Sequence, residues 1–264
     1  MITIKEYENG QSFLDENKRF LDTNKYMAVF FYLDAEVLYK IDINNYAIKV
    51  EENGEKLLAM RLEPYNLLLF GNELYLKYLL DYLDNKKYKI DGIMCSTDIG
   101  NYLLYLNNNY HQTIGMDFME AKTITIASSS DVVIPKEEDI DEIYNMSCEM
   151  FKECGLSDVV NKDKIKNNIS NFRMIKINDE IVGIASYGTD TDNSKRISHV
   201  YTKPKYRGKG YAKKIVNTIK NIIINSGFIA TLNVDQLNPI SNHIYTSLGF
   251  KKVFSQGIYK IKER

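Results

Sequence analysis

Gly208 and Gly210, flanked by Lys205, Arg207 and Lys209, are the residues of this chain best suited to holding an anion. They lie in Val200-Tyr201-Thr202-Lys203-Pro204-Lys205-Tyr206-Arg207-Gly208-Lys209-Gly210-Tyr211-Ala212, where a strand-like stretch passes through a short loop into residues of helical periodicity. The first N–H groups of a helix have no intrahelical partner, and the aligned peptide dipoles add positive potential. Glycines keep no side chain between that helix mouth and a ligand, and Arg207 and Lys209 add cationic charge. The loop is therefore expected to hold a pyrophosphate. Two other phosphate motifs fail on their residues. A Mg-nucleotide loop needs Lys-Ser or Lys-Thr after its last glycine, whereas Tyr211 follows Gly210. The dinucleotide fingerprint needs a third Gly or Ala where Lys213 stands. An ordinary glycine turn with exposed basic side chains accounts for the same spacing, and the loop alone does not separate the two.

A second segment, Asn238-Pro239-Ile240-Ser241-Asn242-His243-Ile244-Tyr245-Thr246-Ser247-Leu248-Gly249-Phe250, carries its own boundaries. Asn238 is an N-cap, Pro239 suits the first helical position, and Gly249 suits the left-handed residue after the helix. Asn238, Asn242 and Tyr245 fall at i, i+4 and i+7 and share a polar stripe, while Ile244 and Leu248 share one that can face a sheet.

Taken together, the two segments resemble the GNAT N-acetyltransferase superfamily. Lys205-Tyr206-Arg207-Gly208-Lys209-Gly210 is similar to that family's Q/R-x-x-G-x-G/A motif, with Lys205 in place of the usual Gln or Arg. The 238–250 segment is similar to its Asn-led helix with an aromatic-Leu-Gly-Phe ending. The resemblance covers about residues 132–264. It implies an α+β fold with a mixed sheet, the acyl-CoA N-acyltransferase fold, and acetyl-CoA as cofactor. It further implies that Lys205 to Ala212 hold the diphosphate. Val200, Tyr201 and Thr202 would carry a bulge whose backbone pairs with the pantetheine arm like an added strand. Asn238 and Asn242 would lie along that arm, and Tyr245 would protonate the departing thiolate. The implied activity is direct acetyl transfer to a primary amine, on a small molecule or a peptide, in a ternary complex. Asn238 as a plain helix cap and Tyr245 as one of twenty tyrosines remain the alternatives at those positions.

An attacking amine must be neutral, so a base or a water chain has to accept a proton, and the developing oxyanion needs an N–H donor. Relatives often place a Glu on this strand, but Arg196-Ile197-Ser198-His199 contains no carboxylate. His199 is the candidate base, with a packing role as its alternative. His243 is exposed by its helical phase. The missing carboxylate also keeps open a non-catalytic acyl-CoA sensor or partner-binding module.

These residues need elements to position them. Helix is expected at 137–151, with Glu137-Glu138-Asp139 as its acidic first turn, and at 162–169, strands at 172–177, 181–187 and 196–202, helix at 211–224, strand at 228–234, helix at 239–248 and strand at 250–261. Antiparallel strands feeding a β-α-β-α-β finish imply a mixed sheet with helices on its faces. Ser128-Ser129-Ser130-Asp131 reads as a linker, giving domains at 1–127 and 131–264. Before it come a short helix at 11–23, a buried strand at 26–33, a hairpin at 44–61 turning at Glu52-Asn53-Gly54, and a strand at 115–126. Residues 67–110 give strand, helix, strand, helix, as 196–250 do, but their loop, Gly71-Asn72-Glu73-Leu74, lacks the second glycine and the basic pair. The first half is therefore read as a degenerate GNAT-like copy, making two tandem domains, with an unrelated α+β domain as the alternative.

The chain has 264 residues, 44% of them hydrophobic, enough for two cores. Its 34 Lys and Arg against 35 Asp and Glu are scattered, which argues against nucleic acid as a partner. No basic leader precedes an apolar run, and no window has 18 uninterrupted apolar residues, so no membrane association and a cytoplasmic location are expected. Cys95, Cys148 and Cys154 show no metal-site spacing and read as free core thiols, with no metal expected. The oligomeric state is expected to be monomer or homodimer.

Overall fold

Asn53 and Gly54, both at positive φ (51° and 86°), make the tight turn that the right-handed twist of a hairpin favours. Asn178 and Asp179 (50° and 63°) repeat it later in the chain. The computed structural model describes residues 1–155 and 160–262. Contacts divide the chain into two units: Met1–Asp117 with Asp235–Leu237 and the end from Phe254, and Phe118–Val234 with Asn238–Val253.

The first unit contains β1 (Thr3–Glu6), α1 (Gly10–Leu21), α2 (Lys25–Val37), β2 (Tyr46–Glu52), β3 (Glu55–Arg61), β4 (Leu67–Gly71), α3 (Leu76–Asn85), β5 (Ile93–Ser96), α4 (Thr97–Leu106) and the start of β6 (Tyr110–Ala121). The second contains the end of β6, α5 (Ile140–Glu153), α6 (Lys162–Asn167), β7 (Phe172–Ile177), β8 (Glu180–Thr191), β9 (Ser194–Thr202), α7 (Tyr211–Asn225), β10 (Ile229–Asp235) and α8 (Pro239–Ser247). The last strand, β11 (Lys251–Ile261), begins in the second unit and ends in the first, where it pairs antiparallel with β5. In each unit two helices precede an antiparallel trio, β2-β3-β4 or β7-β8-β9. A crossover helix then leads to a parallel strand, β4 to β5 through α3 and β9 to β10 through α7. The mixed-sheet α/β class and the repeated element order expected from the sequence are both present.

Three local readings change. Residues 26–33 are helix rather than strand: Asn24 Oδ1 accepts from the Met27 N–H at 3.3 Å, and burial recurs at Ala28, Phe31 and Ala35 while Phe30, Leu33 and Val37 are exposed. A helical period wrapped in apolar residues on both sides looks like a continuous strand run. The strand expected at 115–126 runs instead from Tyr110 to Ala121. Cys154, read as a core thiol, is exposed, whereas Cys95 is buried and its thiol is pushed up by that burial.

The expected linker falls inside the second unit and is strapped to α7. Asn217 Nδ2 donates to the Ala127 carbonyl (2.8 Å), Asn221 Nδ2 to the Ile126 carbonyl (2.8 Å), and the Ser129 N–H to Thr218 Oγ1 (3.2 Å). The buried Lys220 ammonium donates to Thr125 Oγ1 (3.1 Å) and the Leu248 carbonyl (2.8 Å). These polar residues alternate with Val216, Ile219 and Ile223 of the core, so α7 is buried on two faces. Among the described residues no helix is long and apolar enough to cross a membrane.

Replacing Asn217 and Asn221 together by alanine strips donors from two carbonyls, at a cost offset in part because both amide oxygens are themselves buried without partners. The double variant is expected to lose about 2 kcal/mol in urea unfolding, with cleavage by a low dose of protease appearing first within residues 122–131.

Candidate functional site

Parallel pairing between β9 and β10 covers only three residues, Ser194–Arg196 against Ile229–Thr231. Beyond Arg196 the β10-facing edge of β9 has no strand partner among the described residues. Each strand carries an orphan past the last pair: Thr202 Oγ1 and Asn233 Oδ1 are buried with no hydrogen-bond partner. On its other edge β9 pairs with β8, and the register passes from Tyr201↔Ile184 to Ser198↔Ser186. His199 and Val200 thus stand together opposite Ala185, and His199 takes a left-handed φ of 52°. The bulge expected over residues 200–202 begins one residue earlier, and its strained position is occupied by a histidine, a residue that tolerates this region better than most.

The loop after β9 turns through Pro204–Tyr206 and enters α7 at Gly210, which caps the helix with no side-chain hydrogen bond. Gly208 and Gly210 have φ of 76° and 80°, and a Cβ at either would meet no atom within 4 Å. Gly71, the corresponding glycine of the first unit, differs: its Cβ would lie 2.2 Å from the Lys56 carbonyl oxygen. The first glycine pair faces open space; Gly71 is there because a backbone passes too close. Tyr211 and Ala212 form the half-buried first turn of α7.

The basic side chains are less free than the sequence suggests. Arg207 donates to both oxygens of Glu153 (2.9 and 2.6 Å) and through Nε to the Thr202 carbonyl (2.9 Å). Lys205 pairs with Glu180 at 3.0 Å, and Lys203 bridges Glu142 and Glu180. The Tyr206 hydroxyl with Lys203 and Lys205 holds the Glu180 carboxyl down to about 2. Lys209 lies 5.3 Å from the centre of the Tyr206 ring. An anion at the mouth of α7 meets the helix N–H groups directly and competes with Glu153 for Arg207.

On α8 the Asn238 side chain accepts from the Ser241 N–H (3.0 Å), and Asn242 Nδ2 donates to the Asn238 carbonyl (2.8 Å). Asn238 is exposed, Asn242 half-buried and Tyr245 buried, its ring edge-on to Phe250 at 6.1 Å. Burial, opposed by a hydrogen bond with Ser241, pushes the Tyr245 hydroxyl up to about 12, so it stays protonated at neutral pH.

His199 lines a cavity of about 630 Å³ within the second unit, walled by Phe151 of α5, Ile165 of α6 and Phe172, Tyr187 and Ser198 of the strands. Its ring lies 5.8 Å from that of Phe151 and 5.5 Å from that of Phe172. Nδ1 is 3.0 Å from Ser186 Oγ and 3.2 Å from Ser198 Oγ, and those hydroxyls are 3.0 Å apart. Burial lowers the imidazole pKa below its usual value, so the ring is neutral at pH 7 and able to accept a proton. Ser186, Ser198 and Phe151 had no signal of their own in the sequence; His243 is exposed on α8 as expected.

Residues 138–250 match the acetyltransferase (GNAT) family model. No curated protein sequence matches the chain. Among solved structures, a GCN5-related N-acetyltransferase from Sphaerobacter thermophilus is similar over 99% of this chain and 96% of its own, with 13% identity and a TM-score of 0.64. A GNAT-family acetyltransferase from Colwellia psychrerythraea is similar over 98% and 100%, with 12% identity and a TM-score of 0.63. A tandem GNAT protein of the clavulanic acid biosynthesis pathway covers 100% of both chains at 9% identity and a TM-score of 0.54. At these identities the likeness is one of fold, and it spans both units.

Because Gly210 is left-handed but unobstructed, Gly210→Ala is expected to cost about 1–2 kcal/mol of stability through backbone strain alone. Gly188→Ala, equally unobstructed but without positive φ, should show no loss in the same urea titration.

Proposed function

We propose that the GNAT acetyltransferase domain at residues 138–250 moves an acetyl group from acetyl-CoA to a primary amine seated in the cavity at His199. One observation carries this reading: β9 parts from β10 next to the glycine mouth of α7, while the bulge on the same strand borders the cavity. A pantetheine arm needs backbone groups to bond along its length, and a diphosphate needs unpaired N–H groups with room above them. The edge of β9 left without a strand partner beyond Arg196 and the open space over Gly208 and Gly210 fit those needs.

When bound, acetyl-CoA supplies an activated acetyl carbon, to which the amine nitrogen bonds as the carbon–sulfur bond breaks. The α7 N–H groups hold the diphosphate, with Lys205, Lys209 and Arg207 lending charge once Arg207 leaves Glu153. The backbone N–H groups of His199 and Val200, in the bulge opposite Ala185, are the donors assigned to the carbonyl oxygen. His199 takes the proton that the nitrogen sheds, its neutral ring held by the Ser186 and Ser198 hydroxyls. Tyr245 gives its proton to the sulfur; a hydroxyl held near 12 is a donor at neutral pH and regains its proton readily. Asn238, engaged as a helix cap, and Asn242, bonded to it, act by holding α8 in register.

The direct test is thiol release and acceptor mass in a panel of amines with acetyl-CoA. Tyr245→Phe keeps the buried ring and is expected to lower kcat about 100-fold while the calorimetric affinity for CoA stays within about twofold. Tight acetyl-CoA binding with no turnover on any amine, in the wild type, would leave a sensor in place of an enzyme.

A base works unprotonated, and burial places the His199 pKa below 6.5. At saturating acceptor, kcat should therefore be flat around pH 7 and fall only on acidification below 6.5. His199→Gln should erase that acid limb and lower the plateau about 100-fold.

A further inference from the structure

Charge is distributed unevenly around the cavity. Three lysines alternate along α6, and two have acidic partners: Lys162 with Asp141 (2.6 Å) and Lys166 with Glu137 (3.5 Å). The third, Lys164, lines the cavity. It is the only charged side chain among the described lining residues, and none of them is a carboxylate. Tyr187, another wall, is flanked by two more cations, the Arg173 guanidinium at 5.8 Å and the Lys195 ammonium at 5.7 Å from its ring centre. The rest of the lining is Phe151, Val160, Ile165 and Phe172 on the apolar side and the amides of Asn161, Asn168 and Asn171 near the rim.

A polycationic acceptor needs carboxylates to replace its hydration, and here it would meet like charge and apolar walls instead. An amine on an apolar body that carries a carboxylate of its own matches each part. The body lies against the Phe and Ile walls, the carboxylate answers Lys164, and the positive surroundings favour the neutral form of the amine that has to attack. The cavity volume is that of an ordinary small-molecule site. Resting on the acetyl-transfer reading above, we infer that the acceptor is an α-amino carboxylate with an apolar or aromatic side chain, its carboxylate paired with Lys164.

The experiment uses the full chain and matched acceptors: phenylalanine against phenethylamine, leucine against isopentylamine, and spermidine as the polycation. In the wild type, kcat/KM is expected to be at least about tenfold higher for each amino acid than for its decarboxylated partner, and lowest for spermidine. Lys164→Glu, a surface change with no fold to break, should raise KM for the amino acids about tenfold, leave kcat near its original value, and spare the decarboxylated amines. Spermidine as the best substrate, or a ratio within each pair that Lys164→Glu does not move, overturns the inference while leaving acetyl transfer intact. If no amine turns over, acetyl transfer fails instead, and calorimetry of N-acetylphenylalanine against N-acetylphenethylamine decides the pocket. A preference of about tenfold that Lys164→Glu abolishes upholds it, and equal affinities reject it.

Discussion

Two parallel strands that separate after three pairs leave backbone donors and acceptors that neither can offer the other. A half-buried strand edge is costly unless water or a ligand meets its hydrogen bonds, so the parting of β9 from β10 is the constraint on which the site depends. The fold holds the parting open from several sides. On one edge β8 grips β9 through the register on both sides of the bulge. Above, α7 packs Ile215, Val216, Ile219 and Ile223 into the core, so its glycine mouth cannot slide along the strand. Beside α7, Leu248 and Phe250 anchor the end of α8 in the same cluster. The unpaired edge and the helix mouth are thus placed together by packing that involves no ligand.

The glycine turn into α7 was legible because its demands are local. A left-handed residue at a helix start, with nothing beside it, calls for glycine and little else, and Gly208 and Gly210 sit at such positions. The caps of α8 were legible for the same reason, Asn238 bonding to Ser241 three residues on. What escaped is non-local. Ser186 meets His199 only because β8 and β9 form a hairpin whose bulge shifts the register, and nothing near residue 199 announces a hydroxyl 13 positions earlier. Glu153 finds Arg207 across 54 residues, and Phe151 reaches His199 from the same turn of α5. The helix α2 was misread because apolar residues cover its exposed side as well as its buried one. The run 128–131 was misread because small polar residues suit a tether and a strap equally; the amides of Asn217 and Asn221 decide for the strap.

The two units build one architecture with different helix mouths. Both have the antiparallel trio, the crossover helix and the parallel fourth strand. In the first, Gly71 presses against the Lys56 carbonyl, and Asn72 caps the next turn with its own side chain, accepting from the Leu74 N–H at 3.0 Å. The N–H group that a diphosphate would take is already taken. In the second, the glycines face open space and no side chain caps the helix. Retaining the fold asks for buried Leu and Ile at regular spacing; retaining the site asks for backbone groups left unsatisfied, a demand that stability alone does not sustain.

Neither unit is an unbroken length of chain. The first takes Asp235–Leu237 and the residues from Phe254 onward, whose strand pairs with β5 through Gln256↔Ser96 to Tyr259↔Ile93. A ribosome delivering the chain from its amino end therefore releases the last hydrogen-bonded partner of β5 more than 150 residues after β5 itself. The first unit cannot finish assembling until the segments that build the second have been made, and no single cut in the gene yields either unit whole.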